Sequence, residues 1–244
     1  MPEGPSIVIL RELVEELHLE SAFITNVVGD TTIDKARMLD QEVVSFKSWG
    51  KHFLICFKGF SLRIHFLMFG SYRINERKDR PARLGLIFEN DELNFYTCAL
   101  KFIEGDINQT YDWSGDVMSD EWDPKLAIKK LKENGESLVC DVLLDQNIFS
   151  GVGNIIKNEV LYRIGVHPLS TVAGLPPGKL KELVKEARLY SFDFLEWKRA
   201  FVLKKKWLVY SRKVCPMGHP VEKESLGKTK RNTFFCERCQ KLFS

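Results

Sequence analysis

The chain has 244 residues, 44% of them hydrophobic, and a net charge of only +3. This composition can bury a substantial core, and it predicts an ordinary globular protein of two domains rather than one. No signal peptide or long apolar run is recognisable, and Cys56, Cys98 and Cys140 are scattered without paired spacing. We therefore exclude a membrane-spanning or disulfide-stabilised secreted protein and expect a reducing, intracellular location such as the cytoplasm or nucleoid.

The chain opens with Met1, Pro2 and Glu3. We expect Met1 to be removed before the small Pro2, which leaves a free secondary amine. An α-amino group titrates at about pH 8, so a useful fraction is nucleophilic at neutral pH. Its addition to an aldehyde-like carbon gives a cationic iminium, and Glu3 lies beside it to move protons. Two residues alone do not establish this chemistry, because many chains begin Met-Pro without it.

A helix is predicted directly after these residues. Pro5 suits its first turn, and apolar residues at helical spacing form one stripe. The stripe consists of Ile7, Leu10, Val14 and Leu17. Packed through this stripe, the helix would hold the N-terminus rigidly, although core helices of this kind are commonplace.

From about residue 22 to residue 97 the pattern changes to short apolar or alternating runs, which predict the strands of a β-sandwich. The runs span residues 23–28, 43–46, 53–57, 62–66, 84–88 and 93–96. Gly59 and the Asn-Asp pair at 90–91 predict hairpin turns between them.

Two places in this region carry candidate functional residues. Lys51 lies at the start of a strand, in a Trp-Gly-Lys-His run. A second run begins at His65, continues through Leu67, Met68 and Phe69, and ends in a glycine. Such bulky residues are ordinarily core, but at a turn they would form an exposed wedge.

Residues 114–124 are acidic and rich in turn formers, and we place a domain boundary there. Beyond it the periodicity is helical over residues 126–131, 138–144, 158–164 and 180–195. The glycine-rich turn at 150–154 opens a helix, whose backbone N–H groups can hold a phosphate, with Asn154 as a cap or an added donor. Tight helix packing explains these glycines about as well.

Charge is distributed unevenly along the chain. Residues 89–123 contain ten carboxylates and one base, whereas residues 198–241 contain thirteen Lys or Arg and three Glu. Lysines 204–206, Lys228, Lys230 and Arg231 alternate with aromatic residues, as in a nucleic-acid surface. The aromatic residues are Trp207, Tyr210, Phe234 and Phe235. A solvated basic face is the alternative interpretation of the lysine run.

Four soft metal ligands occur near the C-terminal end. Cys215 and His219 form a C-x-x-x-H pair, and Cys236 and Cys239 form a C-x-x-C pair about a hairpin's length away. Tetrahedral zinc requires such a set, and four protein ligands leave no open position, so we predict one structural Zn²⁺ per chain. Surface cysteines beneath a basic tail are the alternative. A hairpin this small buries little apolar surface, so metal binding would fold it.

In their order along the chain, these motifs resemble the formamidopyrimidine-DNA glycosylase and endonuclease VIII family of bifunctional base-excision repair enzymes. The resemblance covers Met-Pro-Glu-Gly-Pro, Trp-Gly-Lys-His, residues 65–70, residues 144–168 and the finger at 231–240. No single piece decides it, but the ordered set is specific. The opening Pro-Glu-Gly-Pro is more similar to the endonuclease VIII branch.

The resemblance implies a catalytic role for three residues. Pro2 would attack C1′ of a damaged nucleotide flipped out of the duplex, and Glu3 would help to expel the base and open the sugar. Lys51 would neutralise a phosphate near the lesion. The iminium would then break the strand by successive β- and δ-elimination. Glu159 matches a family position for which a catalytic and a capping role both stay open.

The resemblance also implies a DNA-binding set. Asn154, in a helix-two-turn-helix motif, and Arg231, at the tip of the zinc hairpin, would hold phosphates beside the flipped nucleotide. His65 belongs to the same set. Residues 67–69 would fill the vacated space, with Met68 the strongest candidate.

Departures from the family pattern affect the expected substrate. Ser6 stands where the family usually has glutamate, and Leu100 replaces an arginine that reads the opposite base in the formamidopyrimidine branch. Residues 194–207 lack a long glycine-rich loop that would cap oxidised guanine. We therefore expect oxidised pyrimidines and ring-opened or hydantoin lesions as substrates. Gly218 stands where a cysteine ligand is usual, so His219 must take its place.

The expected architecture is a multidomain α+β protein. It has an N-terminal helix and β-sandwich over residues 1–120, a helix-two-turn-helix domain over residues 125–205 and a zinc-finger β-hairpin over residues 206–244. We expect a monomer that acts on damaged double-stranded DNA as a DNA glycosylase with AP lyase activity and does not bind membranes. Two other functions stay open: damaged-DNA binding without catalysis, and a lyase acting mainly on abasic or single-stranded DNA.

Overall fold

The computed structural model describes residues 2–244, so Met1, whose removal we expect, lies outside the described residues. The chain divides into two compact units, residues 1–111 and residues 112–244, and each has a hydrophobic core of its own. Across residues 2–244, no helix combines the length and the apolar character that crossing a bilayer requires.

The described part of the first unit consists of a helix and a sheet. Its elements are α1 (Gly4–Glu15), β1 (Asn26–Val28), β2 (Ser45–Trp49), β3 (His52–Phe57), β4 (Phe60–Ile74), β5 (Leu84–Ile87) and β6 (Glu92–Glu104). Neighbouring strands are antiparallel, in the order β1-β5-β6-β4-β3-β2. They form the antiparallel β-sandwich that the alternating runs predict. Strands β4 and β6 extend beyond their apolar runs, because their backbone pairing continues through polar residues.

Helix α1 covers the sheet with the predicted apolar stripe. Ile7, Leu10 and Val14 are each at most 1% exposed and pack into the core with strands β2 and β3. Leu17 lies beyond the helix, which ends at Glu15, and it is only partly buried against the same core. The stripe is therefore one turn shorter than predicted.

The second unit is helical and ends in a hairpin. Its elements are α2 (Pro124–Glu133), α3 (Val139–Val142), α4 (Asn154–Arg163), α5 (Pro177–Arg199), α6 (Leu203–Lys206), β7 (Glu222–Leu226) and β8 (Arg231–Phe235). Buried apolar residues of α2, α3, α4 and α5 form its core. Helix α4 begins at Asn154, at the end of the glycine-rich turn that was predicted to open a helix and four residues before the helical periodicity that starts at 158. Polar residues occupy buried positions in the first turns of α4. The spacing of apolar residues therefore gives no sign of a helix there.

The polar residues of α4 bond to strand β8. Asn154 Nδ2 donates to the carbonyl oxygen of Asn232 over 2.8 Å, and Lys157 Nζ donates to Thr233 Oγ1 over 2.8 Å. Asn158 Oδ1 accepts from the backbone N–H of residue 234 over 3.0 Å. Three consecutive residues of the strand are thus bonded to a single helix, which fixes the hairpin along its length.

Glu159 holds the chain that leads into the hairpin. Its side chain is fully buried and accepts hydrogen bonds from the backbone N–H groups of Leu208, Val209 and Tyr210, over 2.7 to 2.9 Å. Burial raises the pKa of Glu159, and these three N–H groups oppose that shift. The structure therefore favours a positioning role for this residue, in which it ties down the segment before the hairpin.

Replacing Glu159 with alanine leaves three buried backbone donors without their acceptor. An unpaired buried donor costs about 1–3 kcal/mol, and water entering the space recovers part of the loss, so we expect unfolding of the variant to require about 3 kcal/mol less. Urea denaturation followed by fluorescence measures the difference. Glu133→Ala, at an exposed position in α2, is the control and should change stability by less than about 0.5 kcal/mol. Equal, small effects of both substitutions would contradict this role.

Candidate active site and metal centre

Helix α1 begins directly after Pro2 and Glu3. Pro5 lies in its first turn, and the backbone N–H of Ser6 donates to the carbonyl oxygen of Glu3 over 2.8 Å. The Glu3 residue is only 3% exposed. The half-buried Pro2 is thus held beside a buried acid.

Lys51 lies in the turn that joins β2 to β3. The preceding residue, Gly50, has a φ of +53°, a left-handed conformation that glycine adopts without strain. Helix α1 packs against both strands of this hairpin, and Arg11 donates to Ser48 Oγ over 3.4 Å. The N-terminal helix and the lysine turn therefore belong to neighbouring elements of the first unit.

His65 belongs to an aromatic cluster on the sheet. It pairs with His52 across β3 and β4, with ring centroids 5.1 Å apart. His52 Nδ1 lies 3.2 Å from the Tyr111 hydroxyl oxygen, and the Tyr111 ring packs on Trp49. Burial, with the nearby charge of Arg63, lowers the pKa of His52 to about 3 and also lowers the pKa of His65. Both imidazoles are neutral at neutral pH, so His65 carries no positive charge.

The predicted wedge lies on a bulge of β4. Its regular pairing with β6 stops at Phe66 and resumes at Ser71, while β6 advances by one residue, Thr97. Residues 67–70 therefore leave the plane of the sheet. The exposed fractions are 47% for Leu67, 59% for Met68 and 78% for Phe69. The structure thus presents these three side chains to solvent, as a wedge requires.

Two backbone features shape the bulge. A Cβ atom on Gly70 would lie 2.8 Å from the Thr97 carbonyl oxygen and 2.7 Å from Phe66 Cβ, so a larger residue would displace the strand. Thr97 itself has a φ of +52°, which is uncommon for a β-branched residue. Gly70 therefore permits the close approach that the bulge requires, and Thr97 adopts an unfavourable backbone conformation to accommodate it.

The four predicted metal ligands come together in the second unit. One ligand atom from each of Cys215, His219, Cys236 and Cys239 lies within 4.8 Å of the others. A tight turn lies between Cys215 and His219, and another lies between Cys236 and Cys239. The backbone N–H of Gly218 donates to the Cys215 carbonyl oxygen over 2.9 Å, and that of Cys239 donates to the Cys236 carbonyl oxygen over 3.1 Å.

The spacing of these ligand atoms fits a tetrahedral metal ion. Zinc bonds of about 2.3 Å to sulfur and about 2.0 Å to nitrogen imply edges of about 3.8 Å between sulfurs and about 3.5 Å between sulfur and nitrogen. Cys215 Sγ and Cys239 Sγ are 3.8 Å apart, and His219 Nδ1 is 3.3 Å from Cys239 Sγ. Gly218 has a φ of +79°, which makes the turn sharp. The next residue, His219, thereby joins the cluster, as expected from the missing cysteine.

Asn154 and Arg231 lie close together in the second unit. Arg231 is the first residue of β8, and Asn154 Nδ2 bonds to the carbonyl oxygen of the next residue, Asn232. Asn154 Oδ1 is buried and has no hydrogen-bond partner among the described residues. The two predicted phosphate contacts are thus fixed relative to each other by one side-chain-to-backbone bond.

The tip of the hairpin is tied to α3. The backbone N–H of Lys228 donates to Asp141 Oδ1 over 2.9 Å. Gly227 makes room for this carboxylate, because a Cβ atom there would lie only 2.3 Å from Oδ1. No pattern in the sequence indicated Asp141, since its partner is 87 residues away. The turn that precedes Arg231 is therefore anchored to α3 through Lys228.

The aromatic residues named in the basic stretch 198–241 separate into a row at the surface and one residue in the core. Trp207, Tyr210 and Phe234 are half-buried, with successive ring centroids 4.9 and 5.1 Å apart. The interpretation of Phe235 as part of the surface was wrong. Its side chain is 2% exposed and packs edge-on against His167, because alternate residues of β8 face opposite sides of the strand.

Two family profiles match the chain in succession. Residues 1–102 match the formamidopyrimidine-DNA glycosylase N-terminal domain, and residues 114–189 match the formamidopyrimidine-DNA glycosylase H2TH domain. These ranges contain the Pro2 and Lys51 region and the helix-two-turn-helix with Asn154, respectively.

Relatives in the endonuclease 8-like group are also found. Endonuclease 8-like 2 of Bos taurus is 35% identical over 201 residues, which are 75% of this chain and 59% of that protein. Endonuclease 8-like 3 of Mus musculus is 34% identical over 203 residues, which are 79% of this chain and 33% of that protein. The chain therefore spans less than two thirds of the length of these relatives.

Solved structures share the fold over almost the whole chain. Lactococcus lactis formamidopyrimidine-DNA glycosylase, non-covalently bound to DNA containing an AP site, superposes with a TM-score of 0.85 at 20% identity, covering 98% of this chain and 99% of that chain. A viral DNA glycosylase gives a TM-score of 0.83 at 22% identity, with 98% and 99% covered. The chain belongs to the formamidopyrimidine-DNA glycosylase and endonuclease VIII family, close to the endonuclease VIII branch.

Proposed function

We propose that this chain is a DNA repair glycosylase with AP lyase activity, acting as an intracellular monomer on damaged duplex DNA. The observation that carries the proposal is Pro2 beside the buried carboxyl group of Glu3, at the start of a domain that matches the family from residue 1. The L. lactis neighbour bound to AP-site DNA supports such DNA as a ligand here.

The first chemical step forms a covalent bond to the sugar. In a chain that begins at Pro2, its unprotonated amine attacks C1′ of the flipped nucleotide, the bond from C1′ to the base breaks, and the N–H proton of the amine passes to the departing base. Glu3 gives a proton to the ring oxygen as the sugar opens. The products are the free base and an iminium between the proline nitrogen and C1′.

The second stage breaks the strand. The cationic nitrogen withdraws electrons from C2′, so a C2′ proton is lost and the 3′ phosphate leaves. Loss of a further proton through the extended conjugation releases the 5′ phosphate. Lys51 holds a phosphate near the reacting sugar, and hydrolysis of the iminium restores the amine of Pro2.

The DNA is held open by charged and apolar groups with separate tasks. Asn154 and Arg231 bind backbone phosphates beside the flipped nucleotide, and His65 adds a neutral hydrogen bond. Extruding a base costs a few kcal/mol, which an apolar wedge in the vacated space offsets. The exposure of Met68 and its neighbours supports this task.

Oxidised pyrimidines and ring-opened or hydantoin lesions are the proposed substrates. Residues 194–207 pass from the end of α5 through the short helix α6 and contain no long glycine-rich stretch to enclose an oxidised purine. A less enclosed lesion site favours the smaller and non-planar bases.

Zinc is the proposed metal, bound by Cys215, His219, Cys236 and Cys239 in a purely structural site. We expect about one zinc per chain by metal analysis. Cys236→Ser should lose the metal and most DNA binding, because a hairpin with so small a core depends on the ion for its fold. Cys98→Ser, at a buried cysteine outside the cluster, should keep the zinc. Retention of both metal and DNA binding by Cys236→Ser would contradict the assignment.

Trapping with borohydride tests the catalytic proposal. The processed protein, incubated with a duplex that carries an abasic site or an oxidised pyrimidine, should give a reduced adduct that mass spectrometry locates on Pro2. Protein that retains Met1 should give no adduct, since its proline nitrogen lies within a peptide bond. If processed protein binds the DNA and forms no adduct, the chain is a damage-binding protein instead.

Shortening the wedge should separate base removal from strand cleavage. We expect Met68→Ala to slow excision of an oxidised pyrimidine from duplex DNA by about tenfold, which corresponds to about 1.4 kcal/mol less support for the flipped state. Cleavage of a single-stranded abasic site should keep its rate, since it requires no flipping. Leu189→Ala, at another exposed apolar residue, is the control. Equal losses on both DNA forms would contradict the wedge role.

A further inference from the structure

Residues 75–83, which we name the basic loop, join β4 to β5 and return alongside β6. The backbone N–H of Lys78 donates to the Tyr96 hydroxyl oxygen over 3.0 Å. Arg80 Nη2 donates to Thr97 Oγ1 over 3.2 Å. These bonds go to consecutive residues of β6, so the loop is fixed against the strand and not free to sample solvent.

Two of the four cationic groups of this loop, those of Lys78 and Arg80, reach the base of the wedge. Thr97, the partner of Arg80, is the residue opposite the bulge. Lys78 Nζ donates to Ser71 Oγ over 2.6 Å, and Ser71 is where regular pairing resumes after the bulge. Both cations therefore lie beside the segment that carries the wedge.

Lys78 and Arg80 differ from neighbouring arginines in their partners. Arg73 and Arg77 form ion pairs with glutamates, at 3.6 and 2.6 Å. Lys78 and Arg80 are instead held by hydroxyl groups, and Asp79 between them in the sequence is exposed. Hydroxyl partners orient a cation without neutralising it.

Both cations lie close to the aromatic ring of Tyr96. Lys78 Nζ lies 4.8 Å and Arg80 Cζ lies 5.6 Å from the centroid of its ring. Burial, followed by the charges of Arg73 and Arg80, lowers the pKa of Lys78. Positive charge is thus concentrated here, which an anionic ligand would relieve.

Strand β6 supplies no cation at the place where the formamidopyrimidine branch has its arginine. Leu100 lies opposite Ile64 and packs partly buried against the core of the first unit. Its side chain offers DNA no hydrogen bond. Arg80, which comes from another segment, brings a guanidinium group to the same strand three residues earlier, at Thr97.

We propose that Lys78 and Arg80 form a phosphate-binding subsite for the DNA strand opposite the lesion. This inference rests on the proposed function, because it assumes that the wedge enters a duplex. The candidate phosphate contacts Lys51, Asn154 and Arg231 serve the damaged strand, so the cations at the base of the wedge are available to its complement. One Arg80 N–H is used by Thr97, and an arginine has five, so donors for a phosphate are left.

The test is the salt dependence of binding to DNA that carries a stable abasic-site analogue. Each duplex phosphate contact contributes about 0.9 to the slope of log K against log salt. We expect Arg80→Gln to reduce this slope by about 0.9, and Lys78→Gln with Arg80→Gln to reduce it by about 1.8. The reduction in slope should be the same whichever of the four bases lies opposite the abasic-site analogue. Binding to single-stranded DNA should keep its wild-type slope. Arg80→Lys should restore the slope, because a phosphate needs the charge and not the planar fork.

Arg77→Gln is the matched control, since it removes an equal charge from the same loop where Glu92 already neutralises it. Its slope should stay at the wild-type value. The proposal is overturned by an unchanged duplex slope in Arg80→Gln, by an equal loss on single strands, or by a loss that depends on the opposite base. Wild-type protein that neither binds nor cleaves the duplex would instead refute the proposed function itself.

Discussion

The second unit depends on buried hydrogen bonds between α4 and the segments that carry the hairpin. The hairpin's own buried core contains Val209, Cys215 and Cys236, which is too little apolar surface to fix two five-residue strands. Asn154, with its neighbours one turn along the helix, bonds instead to three consecutive residues of β8. A buried polar group is stable only with a partner in the right place, so each bond also fixes the register of strand against helix.

In the first unit, backbone geometry rather than side-chain hydrogen bonding sets the position of the candidate wedge residues. Three bulky apolar side chains on a strand would normally alternate between the core and the opposite face. The bulge removes them from that alternation, and the missing side chain of Gly70 leaves room for the close approach to Thr97 that the displaced path requires. The same displacement brings the Arg80 partner, Thr97, to the base of the wedge. A single irregularity thus sets the positions of both an apolar group and a charged group.

Sequence patterns predicted what depends on local periodicity. The stripe of α1, the strand runs and the spacing of Cys236 and Cys239 follow rules of two to four residues, so the helix, the sandwich and the metal cluster were found. The glycine-rich turn indicated the start of α4, but the helical periodicity was recognised only from residue 158, because the first turns of α4 bury polar residues, which look exposed in a sequence. Contacts such as Asp141 with the hairpin tip, or Arg80 with Thr97, join distant or turn-separated residues through tertiary folding, and no local period encodes them.

An exposed apolar wedge also tends to associate with other protein surfaces, and neighbouring residues must oppose this association. Contiguous apolar side chains on a surface promote association between copies, particularly next to a strand whose pairing is interrupted. Charged residues beside such a segment oppose association, because two copies would bring like charges together in a poorly solvated contact. Lys78 and Arg80 occupy this flanking position, held there by hydroxyl groups that leave their charge intact. The two charges that we propose to bind a DNA phosphate would therefore also oppose pairing of the wedge with another copy of the chain.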